Sequence, residues 1–428
     1  MEYAMRSLSL ATVATVVHHV ACRRDSEPAL TYNRGNAKLR ALVERCPSLA
    51  AYTPPLIPSL GGLTQTLWTG LRDAATLPVR RRRALWRTER IELPAMDRRE
   101  GALCCPKHVP AGVVSLDWAI DPRGGDGHAS VSSSSSSNER SGSSRAPIVV
   151  ISPGLTSDSS SGYVYRAVAE IQSGPSALRV CVYNPRSRGG NEVKTPFLYS
   201  AGYTGDLERV LLQLRRREPS TPIFAIGFSL GSNVLAKLIG EMGDECPLAA
   251  ALCLACPLDC VAMSAHLCGS FRGKLLDPAL VAAVQSVATE HEVVIAQHPG
   301  IDLPTVRRAK TMREFDAAAI APMMGEEGAG AYYANASAGP HLASIRIPTL
   351  FIHAVDDPIT PGALMPIDRF DGPLAGGAPI VHAMTSEGGH SMDWWSGWRG
   401  AESWGARVAA EWIAAQCHDM REVGRSKL

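Results

Sequence analysis

Five consecutive residues, Gly227-Phe228-Ser229-Leu230-Gly231, have the types and spacing that could present a serine nucleophile. The apolar run Ile223–Gly227 before the serine is typical of a strand, and a helical pattern begins near Gly231. The G-x-S-x-G pattern sets its serine on a tight, strained turn between strand and helix, where bulkier flanking residues would collide. No other match to this pattern occurs in the chain. We therefore predict that Ser229 is a nucleophile.

A serine hydroxyl becomes a good nucleophile when an imidazole takes its proton and a carboxylate orients that imidazole. After a turn of this kind, the acid and then the histidine are expected at the ends of later strands. His390 follows the strand-like run Ile380–Thr385, and two glycines before it let the backbone approach Ser229. We predict that His390 is the general base.

Two adjacent carboxylates, Asp356 and Asp357, follow the strand-like run Thr349–Ala354. We favour Asp357 as the orienting acid, because an Asp directly before a proline at this turn would point towards His390. Asp356 would then cap or brace the loop. Asp259, at the end of the preceding strand, is a weaker alternative acid.

Acyl transfer by a serine also needs two backbone N–H groups that meet the developing negative charge. One should come from the residue after the serine, which is Leu230, and the other from the loop after an early strand. The loop Gly154-Leu155-Thr156 follows the strand-like run Ile148–Ser152, and Leu155 is the predicted second donor.

Several other reactive side chains are better explained by the core. His353 and His382 lie within strands, so we interpret both as core histidines. Cys253, Cys256 and Cys260 are spaced like loose metal ligands. The first two lie on one buried strand and point to different faces, so buried free thiols are favoured over a zinc site. We predict no metal.

Five of the eight tryptophans fall between Trp394 and Trp412. Most of them should pack the last helix against the sheet, and the alternative is that Trp394 or Trp395 lines an acyl pocket. The chain contains neither a P-loop nor a dinucleotide-binding fingerprint, and hydrolysis by a serine needs no cofactor. We predict none.

Short apolar runs alternate with helical periods after residue 147. The strand-like runs are Ile148–Ser152, Leu178–Tyr183, Ile223–Gly227, Ala249–Ala255, Thr349–Ala354 and Ile380–Thr385, preceded by Val113–Ala119. The helical periods are Tyr163–Gln172, Thr204–Arg217, Gly231–Met242 and Ala401–Gln416. This alternation predicts an α/β fold with a mostly parallel sheet and helices on both faces.

Two intervals depart from this alternation. Residues 257–344 are mostly helical and too long for an ordinary connection, which predicts a helical cap over the active-site edge. Residues 121–146 are a Ser/Gly-rich tract, typical of a flexible surface insertion. The predicted organisation is an N-terminal extension over 1–45, the α/β domain over 46–420 and a C-terminal tail over 421–428.

Composition excludes some functions. The chain has 428 residues, 45% of them hydrophobic, which is enough for a buried core. Its 43 Lys and Arg nearly balance its 41 Asp and Glu, whereas a nucleic-acid-binding protein usually has a strong basic excess. The eleven cysteines are odd in number and scattered, which favours a reducing compartment.

The two ends of the chain bear on its location. The terminal Ser426-Lys427-Leu428 matches the address that the peroxisomal import receptor reads, so we predict a peroxisomal protein. The apolar stretch Leu8–Ala21 is too short to span a membrane; a helix packed on the body is favoured, and a membrane anchor or signal is the alternative. The basic run Arg80–Arg83 is interpreted as a solvated face, with peripheral contact to anionic lipid as the alternative.

From about Cys46 onward the chain resembles the YheT-like branch of the α/β-hydrolases, which includes embryogenesis-associated proteins and abhydrolase-domain lipases. The blocks that carry the resemblance are Cys46-Pro47, Tyr52 to Pro55, Gly154-Leu155-Thr156, Asn184 to Gly190, Thr195-Pro196, Tyr199 to Gly202, Gly227 to Asn233, Pro257-Leu258-Asp259, Thr311 to Asp316, Tyr332 to Ser337, Asp356-Asp357-Pro358 and Gly388-Gly389-His390. Two blocks depart from the family pattern: Ser187 stands where relatives usually have glycine, and Ser157-Asp158 replaces the usual glycines.

The resemblance implies serine carboxylester hydrolysis of acylglycerols, phospholipids or short- to medium-chain esters, similar to a monoacylglycerol lipase. It agrees with the residues argued above: Ser229, His390 and Asp357 as a triad, with Leu155 and Leu230 as oxyanion donors. One alternative is an alcohol acyltransferase with the same triad. Another is a catalytically silent lipid-binding protein, which an intact Ser, His and Asp set disfavours.

Overall fold

The computed structural model describes residues 27–55, 61–75, 86–97, 106, 108–120, 146–174, 177–372, 374–396 and 402–425. Four sequence predictions lie outside these residues and stay predictions. They concern the apolar stretch Leu8–Ala21, the basic run Arg80–Arg83, nearly all of the Ser/Gly tract 121–146, and the terminal Ser426-Lys427-Leu428. Within the described ranges, no helix combines the length and apolar character that crossing a bilayer requires.

Thirteen strands are present in the described residues. They are β1 (Ala29–Tyr32), β2 (Trp86–Leu93), β3 (Met96–Asp97), β4 (His108–Val109), β5 (Gly112–Ala119), β6 (Ile148–Ser152), β7 (Arg179–Asn184), β8 (Ile223–Phe228), β9 (Ala250–Leu254), β10 (Thr349–Ala354), β11 (Ile380–Thr385), β12 (Trp395–Ser396) and β13 (Glu402–Ser403).

The α-helices of the same residues follow in chain order. They are α1 (Ala37–Glu44), α2 (Gly62–Ala75), α3 (Gly162–Ser173), α4 (Gly205–Arg217), α5 (Leu230–Met242), α6 (Cys260–Gly269), α7 (Phe271–Glu290), α8 (Glu292–Ile295), α9 (Leu303–Arg308), α10 (Met312–Phe315), α11 (Ala321–Met324), α12 (Ala329–Ala336), α13 (Asp368–Asp371) and α14 (Trp404–Arg425). A π-helix spans Asp316–Ile320, and 3₁₀ turns span Pro47–Ala50, Gly243–Glu245, Gly339–Ser344 and Gly362–Leu364.

One sheet of nine strands, in the order β1-β11-β10-β9-β8-β6-β7-β5-β2, organises the fold. Strands β6 to β11 are parallel to their neighbours within this group, and β1, β5 and β2 pair antiparallel. Every residue of β6, β8, β9 and β10 is buried, as expected of parallel strands covered on both faces. The predicted fold class, a mostly parallel sheet between helices, is therefore confirmed.

Helices form an apolar layer on each face of the sheet. On one face α1, α3 and α14 contribute side chains such as Leu39, Val164 and Val408 to the core. On the other face α4 and α5 contribute side chains such as Leu207 and Leu238. A third apolar cluster lies largely within the cap, between β9 and β10, where 257–344 contains helices α6 to α12 and no strand.

The fold begins earlier than the sequence predicted. Strand β1 pairs antiparallel with β11, and Leu39 and Leu42 of α1 are fully buried in the core. The described fold therefore already includes β1 and α1, which lie within the predicted N-terminal extension over 1–45. A four-residue edge strand with one buried side chain carries too little periodicity to be recognised in sequence. At the other end α14 continues to Arg425, beyond the predicted boundary at residue 420.

Two histidines, one on β10 and one on β11, form a buried pair. The carbonyl of Cys256 can only accept, so His353 Nε2, 3.0 Å away, carries the proton. Because burial lowers the pKa of His353 and keeps its ring neutral, Nδ1 accepts from His382 Nε2 at 3.1 Å. His382 Nδ1 is buried and has no hydrogen-bond partner among the described residues, and the His382 ring stacks on Phe370 with centroids 4.2 Å apart. Both rings are consequently neutral core residues.

This pair predicts loss of stability in mild acid. Burial lowers the pKa of His353 to about 4 and that of His382 well below its usual value, whereas an unfolded histidine titrates near pH ~6.5. The stabilisation is present above pH ~6.5 and is lost as the pH falls, because only the unfolded chain takes up the protons. At about pH 5 each histidine should lower the free energy of unfolding by about 2 kcal/mol.

Urea unfolding at about pH 7.5 and about pH 5 measures this effect. Between these two pH values His382→Leu should lose about 2 kcal/mol less stability than the wild type, while the exposed His418→Gln should behave as the wild type does. Equal pH dependence in the wild type and in His382→Leu would contradict the assignment.

Candidate active site

Ser229 lies at the tight turn between β8 and α5. Its backbone has φ of 49° and ψ of −118°, a conformation that is costly for any residue with a Cβ. The flanking glycines make the turn possible. A Cβ on Gly227 would overlap the backbone of Ser232, and a Cβ on Gly231 would overlap the carbonyl oxygens of Ser152 and the following proline. The sequence predicted this turn because the five-residue pattern that marks it is local.

The structure brings Ser229, His390 and Asp357 into one chain of contacts. Ser229 Oγ lies 2.8 Å from His390 Nε2, and His390 Nδ1 lies 2.8 Å from Asp357 Oδ2. The imidazole side chain is 9% exposed and the carboxylate is fully buried. A neutral imidazole that donates through Nδ1 to the carboxylate presents an unprotonated Nε2 to the serine hydroxyl, which is the arrangement a general base requires.

Asp357 is fixed as an anion by its own loop. Its oxygens accept hydrogen bonds from the backbone N–H groups of Ile359 and Thr360, at 2.7 and 2.8 Å, and from the Thr360 hydroxyl at 2.8 Å. Burial by itself would raise the pKa of Asp357, but the charge and hydrogen bond of His390 and the two backbone donors lower it below its usual value. The carboxylate is therefore charged and held in one orientation.

The other two candidate acids lie elsewhere. Asp356 Oδ1 accepts a hydrogen bond from the backbone N–H of Gly389 at 2.9 Å, so Asp356 braces the loop that carries His390. Burial raises the pKa of Asp356 to about 6, and the Gly389 hydrogen bond opposes this shift. Asp259 is the N-cap of α6, where it accepts from the N–H of Ala262 at 2.8 Å.

Helix α2 supports the histidine loop, and sequence reasoning missed this contribution. Thr66 Oγ1 accepts from the backbone N–H of His390 at 2.9 Å and donates to the carbonyl of Gly62 at 2.7 Å. Gly62 also packs so closely on Gly389 and Asp356 that neither glycine has space for a Cβ. Helix α2 carries no motif, so the amino-acid sequence offered no signal for this contact.

Two backbone N–H groups beside Ser229 are free. Leu155 and Leu230 donate no hydrogen bond to any acceptor in the described part of the chain, and both residues line the cavity that contains Ser229. The loop of Leu155 is close to the nucleophile, because a Cβ on Gly154 would lie 3.4 Å from the Ser229 Cβ. The Gly154 N–H donates to the Tyr163 hydroxyl at 2.8 Å, which anchors this loop to α3.

Ser229 opens into a cavity of about 460 Å³ between the sheet edge and the cap. Most of its wall is apolar. The apolar lining includes Leu155, Leu230, Met263, Leu267, Leu280, Val284, Met312, Phe315, Ile320, Tyr332, Ile359 and Met392. A cavity of this volume and character suits an acyl chain or another apolar group of similar size.

A relative from Saccharomyces cerevisiae, described as a monoacylglycerol lipase, is 31% identical over 249 residues, which cover 57% of this chain and 54% of the relative. Phospholipase ABHD3 of Homo sapiens is 29% identical over 284 residues, which cover 66% of this chain and 64% of the relative. The chain thus spans between about half and two thirds of the length of these relatives. No known protein-family model matches the chain.

The YheT protein of Escherichia coli is 30% identical over 247 residues, which cover 57% of this chain and 69% of the relative. The chain belongs to the YheT-like branch of the α/β-hydrolases. The resemblance predicted from the sequence blocks is thereby confirmed.

The two departures from the YheT-like pattern differ in their structural effect. Ser187 has φ of 65°, so a residue with a side chain adopts the left-handed conformation that glycine, usual in relatives, takes without strain. Asp158 replaces another usual glycine and uses its carboxylate to accept from the N–H groups of Ser160 and Gly189, at 2.8 and 3.2 Å. The loop beside Leu155 is therefore held by side-chain hydrogen bonds.

The remaining side chains considered in the sequence are core residues of this YheT-like fold. Trp394 and Trp395 are fully buried and neither lines the cavity. Cys253 and Cys256 are buried free thiols, and burial raises their pKa well above the usual range. Cys260 is buried and lines the cavity. Among the described residues, no group of three or more ligating side chains could hold a metal ion.

Proposed function

We propose that this chain is a serine carboxylester hydrolase that acts on lipid esters through an acyl-enzyme. The observation that carries the proposal is the contact chain from Ser229 through His390 to Asp357, which opens into an apolar cavity. This combination of an activated serine and an apolar cavity supports cleavage of an ester whose acyl part is apolar.

In the proposed mechanism, Ser229 Oγ attacks the ester carbonyl carbon while His390 Nε2 takes the hydroxyl proton. His390 then returns this proton to the alcohol that leaves, and the acyl-enzyme forms. In the second half of the reaction, His390 takes a proton from water and the resulting hydroxide attacks the acyl carbon. The bond between this carbon and Ser229 Oγ then breaks, and His390 returns the proton to Oγ. Asp357 stabilises the imidazolium in both halves and keeps its own charge.

The free N–H groups of Leu155 and Leu230 are the proposed donors to the oxyanion of both tetrahedral intermediates. Each already lies beside Ser229 without an acceptor in the described residues, so no hydrogen bond has to break when the oxyanion forms. Donors fixed in advance, in a site sheltered from water, stabilise the developing charge most effectively.

Acylglycerols and phospholipids of short or medium chain are the proposed substrate class. Two relatives are named a monoacylglycerol lipase and a phospholipase, and both names describe esters with an apolar acyl part and a polar alcohol part. The cavity offers mainly apolar surface for the first part, and the polar residues of its wall are available to the second.

A fluorophosphonate probe and a series of p-nitrophenyl esters test this function. We expect the probe to label one site, which peptide mass spectrometry assigns to Ser229, because only an activated serine attacks the phosphorus. Turnover of the esters should peak at one acyl-chain length, which reports the length of the cavity. A folded protein that is neither labelled nor active would contradict the proposal and favour a lipid-binding protein. Ester exchange with added alcohol exceeding hydrolysis would favour the acyltransferase.

A further inference from the structure

The cap contributes a small polar cluster to the wall of the cavity that contains Ser229. Its four members come from four cap segments: Ser264 from α6, Asp277 from α7, Asp316 from the π-helix and Tyr333 from α12. The proposed mechanism uses none of these four side chains. Since most of the surrounding wall is apolar, polar side chains such as these four would recognise a polar part of a ligand.

Asp316 has an incompletely bonded carboxylate. The residue is 7% exposed, and the Tyr333 hydroxyl donates to its Oδ2 at 2.7 Å. No other hydrogen bond and no ion pair reaches this carboxylate from the rest of the described residues. Asp277 likewise accepts one hydrogen bond, from the backbone N–H of Met312 at 2.9 Å. One oxygen of Asp316 is therefore left for a group inside the cavity.

A charged carboxylate that is buried in this position destabilises the folded protein. Burial raises the pKa of Asp316 to about 7; the hydrogen bond from Tyr333 opposes this shift and the nearby Asp277 adds to it. Arg313 also lines the cavity, but it is exposed and makes no ion pair with Asp316. Such an unpaired buried acid is typical of a functional position.

We propose that Asp316, held by Tyr333, accepts a hydrogen bond from a hydroxyl in the alcohol part of the ester. The site then favours a neutral, hydroxylated alcohol such as glycerol over a glycerol that carries an anionic phosphate. A hydroxyl donates to the free oxygen, whereas a phosphate would bring a second negative charge towards a buried carboxylate. This inference rests on the proposed esterase function and names the residue that selects the substrate class.

Three esters of octanoic acid test the proposal at about pH 8, above the pKa of Asp316. They are 1-octanoylglycerol, its 3-phosphate and methyl octanoate. The kcat/KM values for the first two esters are each divided by the value for methyl octanoate. The preference is the ratio of the two resulting numbers, glycerol ester over phosphate ester. The wild type should prefer the neutral glycerol ester. In Asp316→Asn the side chain still accepts from Tyr333 but has no charge, so the preference should fall by roughly tenfold.

Asp302→Asn is the matched control. Asp302 is the exposed N-cap of α9 in the same cap, it lies outside the cavity, and asparagine caps a helix equally well. Its preference should equal that of the wild type.

A wild type that prefers the phosphate ester would overturn the proposal, and this result needs no variant to fold. An unchanged preference in Asp316→Asn would overturn it as well. If the wild type is labelled by the fluorophosphonate and hydrolyses p-nitrophenyl esters in these cases, the esterase function stands and only the role of Asp316 fails. If the wild type is neither labelled nor active, both the esterase function and the role of Asp316 are contradicted.

Discussion

Replacing Ser229 by alanine is expected to lower kcat for ester hydrolysis by about 10⁴- to 10⁶-fold and to abolish labelling by the fluorophosphonate. Ser229 Oγ lies 2.8 Å from His390 Nε2, and no other described hydroxyl contacts that nitrogen. Without Oγ no acyl-enzyme can form. The N–H groups of Leu155 and Leu230, which are the proposed oxyanion donors, and the cavity remain, so a small residual rate above the uncatalysed reaction is expected.

A second substitution at the same position separates activity from stability. Ser229→Gly should lose as much activity as Ser229→Ala. It should also raise the free energy of unfolding by about 1 kcal/mol, because glycine adopts a φ of 49° without the strain that a Cβ imposes. The measurements are initial rates and urea unfolding of both variants. Substantial hydrolysis by either variant would show that Ser229 is not the nucleophile.

Replacing Asp357 by asparagine is expected to lower kcat by about 10⁴-fold with little change in the fold. The asparagine oxygen can still accept from the N–H groups of Ile359 and Thr360. Its amide nitrogen then points at His390 Nδ1 and donates to it. This stabilises the tautomer with the proton on Nε2, which cannot take the proton of Ser229.

Asp356→Asn is the matched control for this prediction. The variant keeps an acceptor for the Gly389 N–H, so kcat should fall by no more than about tenfold, the range expected when one supporting hydrogen bond is weakened. Rates at saturating substrate measure both variants. A larger loss for Asp356→Asn than for Asp357→Asn would contradict the assignment of the two carboxylates.

Much of this architecture could be predicted because it depends on local patterns. The buried strands β6, β8, β9 and β10 appear in the sequence as apolar runs, because parallel strands covered on both faces need apolar side chains along their length. The turn at Ser229 was recognisable because a five-residue pattern marks it, and the steric limit on Gly227 is set by nearby Ser232. The choice of Asp357 rested on its position before a proline, and the structure places this side chain against His390.

Contacts between segments distant in sequence could not be predicted in this way. Strand β1 is short and half exposed, so its sequence does not mark it as a strand. Only its pairing with β11 identifies it as part of the sheet. Thr66 accepts a hydrogen bond from the backbone of His390, more than three hundred positions away, and no sequence motif marks Thr66. Asp316 belongs to a block that resembles the family, but nothing in the block shows that its carboxylate reaches the cavity.

The sequence by itself determined the class of fold, and it predicted a serine nucleophile at Ser229 followed in order by an acid and a base, because these depend on strand burial and on the geometry of single turns. Only the tertiary structure decided that Leu155 and Leu230 keep free N–H groups beside Ser229, that α2 supports the loop of His390, and that Asp316 faces the same cavity. The reason is physical: a hydrogen bond or a cavity wall depends on which distant segments pack together, and local patterns do not specify that packing.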